Sequence, residues 1–257
     1  MTVGAVLAVS LVSLVGIAAF SLRQERLQRS LFVLVALAAG ALLGDAIIHL
    51  IPESLEALGD ERHFGVAVLG GLLAFFILEK YFRWHHAHHG PEEEHAGHEH
   101  YERGGHADST AHIAPLVLVA DALHNVVDGA VIAGSFLVSP ALGLATTAAV
   151  FLHEIPQEIS DYALLIHSGY SRGRALFFNF LSGLTALLGA AVVLLLNGGI
   201  ANLGAYAAAF TAGAFIYLAA ADLLPALQRS PVKRAGIELV AFIIGIALML
   251  ALTFVEI

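Results

Sequence analysis

Long stretches without a charged side chain constrain this sequence more than any other feature. Residues 2–22 carry no charge at all, and about 20 consecutive apolar residues are what an α-helix needs to cross a hydrocarbon core of about 30 Å. Similar runs follow at residues 31–51, 65–82, 113–138, 141–166, 175–196, 203–227 and 235–255. Because lipid cannot satisfy an open sheet edge, these runs predict an all-α integral membrane protein with eight transmembrane helices.

The composition supports this class of protein. Charged residues make up only 13% of the chain, about half the fraction usual in a soluble domain. No basic segment precedes the first apolar run, so we interpret that run as a retained helix and not as a secretory signal. The chain has no cysteine, which excludes disulfides and thiolate metal ligands.

The basic residues predict an orientation, because Lys and Arg concentrate in cytoplasmic loops. All of them except Arg62 fall in one alternating set of loops: Arg23, Arg26, Arg29, Lys80, Arg83, Arg103, Arg172, Arg174, Arg229, Lys233 and Arg234. We therefore expect a multi-pass protein of the cytoplasmic membrane with both termini outside and the loop after the third span in the cytoplasm.

Four regions follow from this pattern. Residues 1–82 form helices one to three, 83–112 a His-rich loop, 113–168 helices four and five, and 169–257 helices six to eight. The loop holds most of the fourteen histidines, together with Glu92, Glu93 and Glu94. Such a segment is expected to be disordered. Its imidazoles favour weak binding of zinc-like cations, and a simple solvated loop is the alternative.

Spans four and five carry polar side chains that lipid should exclude. They are Asp121, His124, Asn125, Asp128, His153, Glu154, Gln157, Glu158 and Asp161. A central Asp costs about 2.5–3.5 kcal/mol on insertion scales, and neither span contains a Lys or Arg to compensate. A bound cation explains both the carboxylates and the histidines.

The spacing indicates one shared site. Asp121, His124 and Asp128 lie on one helical face, and His153 and Gln157 lie on another. A tight turn joins the two spans, so these faces can meet. Nitrogen and oxygen ligands without sulfur suit zinc, iron, manganese or cobalt, and argue against copper(I).

Other polar residues have secondary interpretations. Asp121, Glu158 and Asp161 are candidates for secondary ligands or for positions where the ion enters or leaves. Asp45 and His49, spaced i, i+4 on span two, form either an entrance site or a structural pair. Asn179 and Asp222 are expected to serve helix packing.

The motifs closely resemble those of the ZIP (Zrt-, Irt-like protein) family of divalent-metal transporters. Span four reads HNVVDGAVIAGSF and span five HEIPQEISDYALL, similar to the subfamily with HNxxDG and HExPHExGD. The segments GDAIIHLIPE, NFLSGLTALLG and AGAFIYLAAADLLP extend the resemblance. It implies eight helices in a 3+2+3 arrangement and metal contacts at His124, Asn125, Asp128, His153, Glu154 and Gln157.

The chain departs from the subfamily pattern at two positions. Gln157 stands where the signature has histidine, and Ser160 where it has glycine. An amide oxygen is a weaker ligand than imidazole, so the preferred metal and a second adjacent metal position are left open. A large extracellular domain is missing, which favours a prokaryotic-type member.

A short internal similarity is typical of transporters with inverted repeats. Span two ends in His49-Leu50-Ile51-Pro52 and span seven in Asp222-Leu223-Leu224-Pro225, and by the charge rule the two spans run in opposite directions. We therefore expect inverted repeats flanking helices four and five.

The predicted function is transport of divalent transition-metal cations, zinc above all, toward the cytoplasm. The cation is the transported substrate, and we expect no prosthetic group and no enzymatic activity. No Gly-rich phosphate loop ending in Gly-Lys-Ser/Thr occurs, which argues against ATP-driven pumping. Divalent ions and the lipid bilayer are the expected partners, without nucleic acid. The sequence leaves the oligomeric state open, and a homodimer is one assembly compatible with it.

Two alternatives come from other classes. An intramembrane zinc metalloprotease would use His153-Glu154-Ile155-Pro156-Gln157, which approaches HExxH but has glutamine in place of the second histidine. A metal sensor that does not transport would be built around residues 84–112.

Overall fold

The computed structural model describes residues 1–15, 24–89, 113–230 and 232–254, and the regular structure of this part is helical throughout. We number the α-helices α1 (Thr2–Ser10), α2 (Gln24–Asp45), α3 (Ile51–Leu58), α4 (Glu61–His89), α5 (Ile113–Val138), α6 (Pro140–His167), α7 (Arg172–Gly183), α8 (Ala186–Leu196), α9 (Leu203–Tyr217), α10 (Leu224–Gln228) and α11 (Ala235–Leu252). Short 3₁₀ segments follow α1 and precede α11, at Leu11–Val15 and Val232–Arg234.

Six helical stretches of the described chain are long and apolar enough to cross a membrane. They are Leu31–Leu58, Glu61–Leu78, Val117–Val138, Arg172–Leu196, Leu203–Gln228 and Ala235–Leu252. Thr2–Val15 is a shorter apolar helix. Helix α6 is not among the six, because the polar residues predicted to bind metal reduce its hydropathy. The first predicted span continues into residues 16–23, which lie outside the described part.

Helical backbone extends into the N-terminal end of the segment predicted to be a His-rich loop. Helix α4 continues to His89, so its last turns cover the first residues of the segment 83–112. Residues 90–112, which hold the rest of the predicted loop, lie outside the described residues.

A serine cap starts α6 after a one-residue connection, as the Ser139-Pro140 pair predicts. The Ser139 side chain accepts a hydrogen bond from the Leu142 amide at 3.0 Å, and Pro140 occupies the first turn. Farther along, α6 remains α-helical through Pro156. The tight turn makes α5 and α6 an antiparallel hairpin.

Both segments of the internal similarity contain a π-helical stretch. Ala46–Leu50 joins α2 to α3, and Leu218–Leu223 joins α9 to α10. Each ends directly before a helix with proline in its first turn, Pro52 or Pro225. Proline has no amide hydrogen to donate, which favours a local change in the helical hydrogen-bond pattern.

Small residues let neighbouring helices approach closely, which positions the hairpin. Helix α2 packs on α11, α4 on α9, and α5 on α8, while α5 also contacts α9 and α6 contacts α2. Each of the first three pairs has one glycine from each helix against the partner's backbone; a Cβ added at any of them would lie 1.7–2.2 Å from a carbonyl oxygen. The glycines are Gly40 and Gly245, Gly71 and Gly213, and Gly129 and Gly189. Such close contacts are typical of membrane helix packing.

Candidate metal centre

Four of the predicted ligands meet between α5 and α6. His124 and Asp128 lie one turn apart on α5, and His153 and Glu154 lie on the facing side of α6. One nitrogen or oxygen atom from each of the four side chains falls within 4.8 Å of all the others. All four side chains are buried, with His124 the most exposed at 8%.

Five of the six distances among these atoms are close to the edge length of a tetrahedral metal site. His124 Nε2 lies 3.4 Å from His153 Nε2, 3.7 Å from Asp128 Oδ2 and 3.5 Å from Glu154 Oε1. His153 Nε2 lies 3.3 Å from Asp128 Oδ2 and 3.4 Å from Glu154 Oε1. A regular tetrahedron with edges of about 3.4 Å has its corners about 2.1 Å from its centre, which is the length of Zn–N and Zn–O bonds.

The carboxylates of this cluster lack ordinary compensation. Asp128 Oδ2 and Glu154 Oε1 are buried and accept no hydrogen bond from the described residues. Their close polar neighbours among the described groups are the Nε2 atoms of His124 and His153, at 3.3–3.7 Å. A divalent cation at the centre would satisfy both oxygens, since buried charges require a partner.

Asn125 is held beside the cluster by Asp121. The Asn125 Nδ2 group donates to Asp121 Oδ1 at 2.8 Å and to the Asp121 backbone carbonyl at 3.1 Å. The other Asp121 oxygen, Oδ2, accepts from the Ser182 hydroxyl on α7. Asn125 Oδ1 is buried and has no hydrogen-bond partner in the described part of the chain, so it is free to accept a cation.

A cavity of about 400 Å³ leads away from the cluster on one side. Its wall includes His124, His153, Gln157 and Asp161, and it extends past residues on α2, α4 and the α9–α10 segment: Val35, Phe75, Leu78, Tyr217, Leu218, Leu223 and Ala226. Within α5 its lining stops at His124, so the cavity lies toward the helix's N-terminal end. Gln157 and Asp161 therefore face a space that reaches the cluster.

Close-packed apolar side chains cover the opposite side of the cluster. Val131, Ile132, Ala149 and Val150 are buried there with side chains of α9: Ala208, Ala212 and Phe215. The His153 and Phe215 rings meet edge to face with centroids 6.2 Å apart. Among the described residues of α5, none that follows His124 lines the cavity.

The secondary candidates separate into different environments. Glu158 is buried and accepts a hydrogen bond from Asn179 Nδ2, whereas Asp161 lines the cavity. Asp45 and His49 form a pair, with Asp45 Oδ1 3.2 Å from His49 Nδ1, at the start of the π-helical stretch. Neither belongs to the four-residue cluster or to the lining of the cavity.

Sequence reasoning did not assign two partners on α7. Ser182 was not predicted at all, and Asn179 was expected to serve packing, yet these residues bind the carboxylates of Asp121 and Glu158. Their i, i+3 spacing in an otherwise apolar stretch was the available signal, because it places two polar groups on one helical face.

Comparison with known proteins agrees with the motifs. The sequence model of a family described as "ZIP Zinc transporter" matches residues 1–112 and 83–253. Zinc transporter zipt-7.1 of Caenorhabditis briggsae is 31% identical over an alignment that covers 87% of this chain and 71% of the relative. Zinc transporter SLC39A7 of Mus musculus is 30% identical over an alignment that covers 87% of this chain and 63% of the relative. Zinc transporter ZIP5 of Homo sapiens is 32% identical over an alignment that covers 98% of this chain and 58% of the relative.

The chain spans about three fifths to seven tenths of the length of these relatives. The family consists of transporters and not of enzymes, which removes the support for the protease alternative. Because the family model covers nearly all of the sequence, the chain belongs to the ZIP family of zinc transporters and is an all-helical, multi-pass membrane protein.

Proposed function

We propose that this protein carries zinc across the membrane through the cluster of His124, Asp128, His153 and Glu154. The near-tetrahedral arrangement of four buried ligand atoms is the observation that carries this proposal. Asn125 and Gln157 act as further ligands, since one has a free buried oxygen and the other lines the cavity at the cluster. Iron, manganese and cadmium are competing substrates, because the ligand set contains no sulfur.

The direction of transport is toward the cytoplasm. The cavity extends toward the N-terminal end of α5 and the C-terminal end of α6, which the basic residues of the adjoining loops assign to the inside. The apolar layer of Val131, Val150 and Phe215 closes the other side. This conformation is therefore inward-facing, and transport requires a second state in which the apolar layer parts. Asp161 then lies on the exit route, and Glu158 remains a buried secondary carboxylate.

The proposed architecture has eight transmembrane helices in a 3+2+3 arrangement, with α5 and α6 as the central pair. The π-helical stretches at Ala46–Leu50 and Leu218–Leu223 support inverted repeats on either side of this pair. The HNxxDG motif supports membership in the corresponding subfamily. We place the protein in a prokaryotic-type cytoplasmic membrane, with both termini outside and residues 83–112 inside as a cation-binding loop.

Zinc flux into proteoliposomes loaded with a zinc-sensitive dye tests this function. The double variant His124→Ala, His153→Ala removes both nitrogen ligands, so we expect flux to fall to the level of empty liposomes. Ser135→Ala is the matched control, because Ser135 is buried on the same helix and its hydroxyl donates to the Val131 carbonyl at 3.0 Å. Equal flux in wild type and in the double variant would overturn the proposal.

A further inference from the structure

Asp121 differs from the other buried carboxylates of the centre in how its oxygens are used. Both of them accept hydrogen bonds: Oδ1 from Asn125 Nδ2 at 2.8 Å and Oδ2 from the Ser182 hydroxyl. Asp128 and Glu154 each keep one buried oxygen that accepts no hydrogen bond from the described residues. Free buried oxygens are suited to a cation, whereas the satisfied pair on Asp121 is suited to holding its neighbours in place.

The contact from Asp121 determines which end of the Asn125 amide faces away from it. An amide binds a cation through its oxygen only, since the NH₂ group has no lone pair to offer. Turning the amide around would place its oxygen against the Asp121 carboxylate and lose the hydrogen bond. With Nδ2 held at Asp121, Asn125 Oδ1 remains buried and available.

Ser182 ties this arrangement to a different helix. It lies on α7, whereas Asp121 and Asn125 are both on α5, and Asp121 and Ser182 are only 3% and 5% exposed. The three side chains therefore form a continuous buried chain from α7 to the residue next to His124. Partners of this kind, one step removed from a metal, orient the ligands that touch it.

We propose that Ser182 and Asp121 are positioning residues that orient the Asn125 carbonyl oxygen toward the transported cation. This role rests on the proposed transport function, because it requires a cation at the cluster. Asp121 does not bind the cation itself. It acts through Asn125, and Ser182 keeps the Asp121 carboxylate in the orientation that Asn125 needs.

Two substitutions of Asp121 separate positioning from charge. Asp121→Asn keeps an oxygen that can accept from Asn125, and its new amide can donate to Ser182, whose hydroxyl can turn to the Asn179 carbonyl at 2.9 Å. Asp121→Ala removes both contacts. We therefore expect Co²⁺ affinity close to wild type in the first variant and a loss of about 10–100-fold in the second, the range typical of such outer partners.

The visible absorption of bound Co²⁺ gives a readout that general loss of stability does not produce, because its bands report ligand number and geometry. In lipid nanodiscs, Asp121→Ala and Ser182→Ala should shift these bands in the same way as Asn125→Ala, while Ser182→Thr, which retains the hydroxyl, should restore them. Ser135→Ala serves as the buried-serine control. Combining Asp121→Ala with Asn125→Ala should add no further loss of affinity.

Three outcomes would overturn the proposal. Equal losses in Asp121→Asn and Asp121→Ala would make Asp121 a ligand, and additive losses in the double variant would disconnect it from Asn125. Wild-type Co²⁺ affinity and spectrum in both Asp121→Ala and Ser182→Ala would remove the positioning role while leaving transport intact. Failure of the proposed transport site would give a different result, because the double variant His124→Ala, His153→Ala would then bind Co²⁺ with wild-type affinity.

Discussion

The Nε2 atom of His124 lies 3.4 Å from the Nε2 atom of His153, across the interface of α5 and α6. Two imidazolium ions cannot face each other at this distance without strong repulsion, so the pair holds at most one shared proton or one cation. Asp128 Oδ2 and Glu154 Oε1 complete the group of four candidate ligand atoms. Loading with a metal therefore requires both histidines to present an unprotonated nitrogen.

We predict that zinc affinity falls as the pH is lowered. Protons compete with the metal for the ring nitrogens of His124 and His153, because a ligand nitrogen must be deprotonated to bind. Wherever at least one proton must leave for each ion bound, the dissociation constant should rise roughly tenfold for each unit by which the pH is lowered. Calorimetric titration in nanodiscs between pH 7.5 and 5 measures this slope.

The control for this pH effect is His63→Ala. His63 is exposed and pairs with Asp60 at 3.0 Å, remote from the cluster, so its removal should leave the slope unchanged. A zinc affinity that stayed constant across the whole pH range would exclude the two histidines as ligands.

Ser139 should contribute to stability through two contacts at the tip of the α5–α6 hairpin. Its oxygen caps α6 by accepting from the Leu142 amide, and its hydroxyl donates to Glu53 Oε2 at 3.0 Å. Ser139→Ala removes both contacts, and a lost N-cap alone costs about 0.5–2 kcal/mol. Thermal unfolding in detergent should show a lower midpoint.

The matched variants separate the two contacts of Ser139. Ser139→Asn retains a capping side chain, so its midpoint should lie near that of wild type. Glu53→Gln keeps an acceptor for the hydroxyl and leaves the cap intact, so it should change the midpoint less than Ser139→Ala does. An alanine variant as stable as wild type would show that neither contact contributes.

The residues of the proposed metal site stand out in the sequence because the membrane makes polar side chains costly. His124, Asp128, His153 and Glu154 stand out in apolar spans, and helical spacing together with the Ser139-Pro140 turn is enough to place them face to face. Asn125 and Gln157 are visible as polar residues of the same spans, and the family resemblance assigned them as metal contacts. None of these inferences needed knowledge of how the remaining helices pack.

The supporting contacts could not be derived in the same way. Which span packs beside α5 depends on close approaches such as that of Gly129 to the Ala186 carbonyl, and no local pattern specifies the partner. Hence the role of Ser182 remained hidden, although its polarity was visible. The prolines after Leu50 and Leu223 marked special positions, but they did not predict π-helical backbone.

Adding a side chain at one of the glycine contacts between helices should lower the stability of the protein. A Cβ at Gly189 would lie 1.8 Å from the Val126 carbonyl oxygen, so Gly189→Ala must push α8 away from α5. Overpacking of this kind costs about 1–3 kcal/mol, and we expect a lower unfolding midpoint in detergent. Gly65→Ala is the control on α4, where an added Cβ meets nothing within 4 Å. Alanine is the better helix former, so this variant should match or exceed wild type; equal loss in both would refute the packing argument.

Gln157 should decide how strongly zinc is preferred over manganese and iron. It lines the cavity beside His124 and His153, and its amide oxygen is a poorer zinc ligand than imidazole. Gln157→His should therefore raise the ratio of zinc to manganese uptake in a competition assay, by about tenfold. The other departure from the subfamily pattern supplies the control: the Ser160 hydroxyl lines the same cavity but donates to the Pro156 carbonyl at 2.8 Å. Ser160→Gly should leave the ratio unchanged. A ratio that responded to Ser160→Gly and not to Gln157→His would locate selectivity away from the cluster.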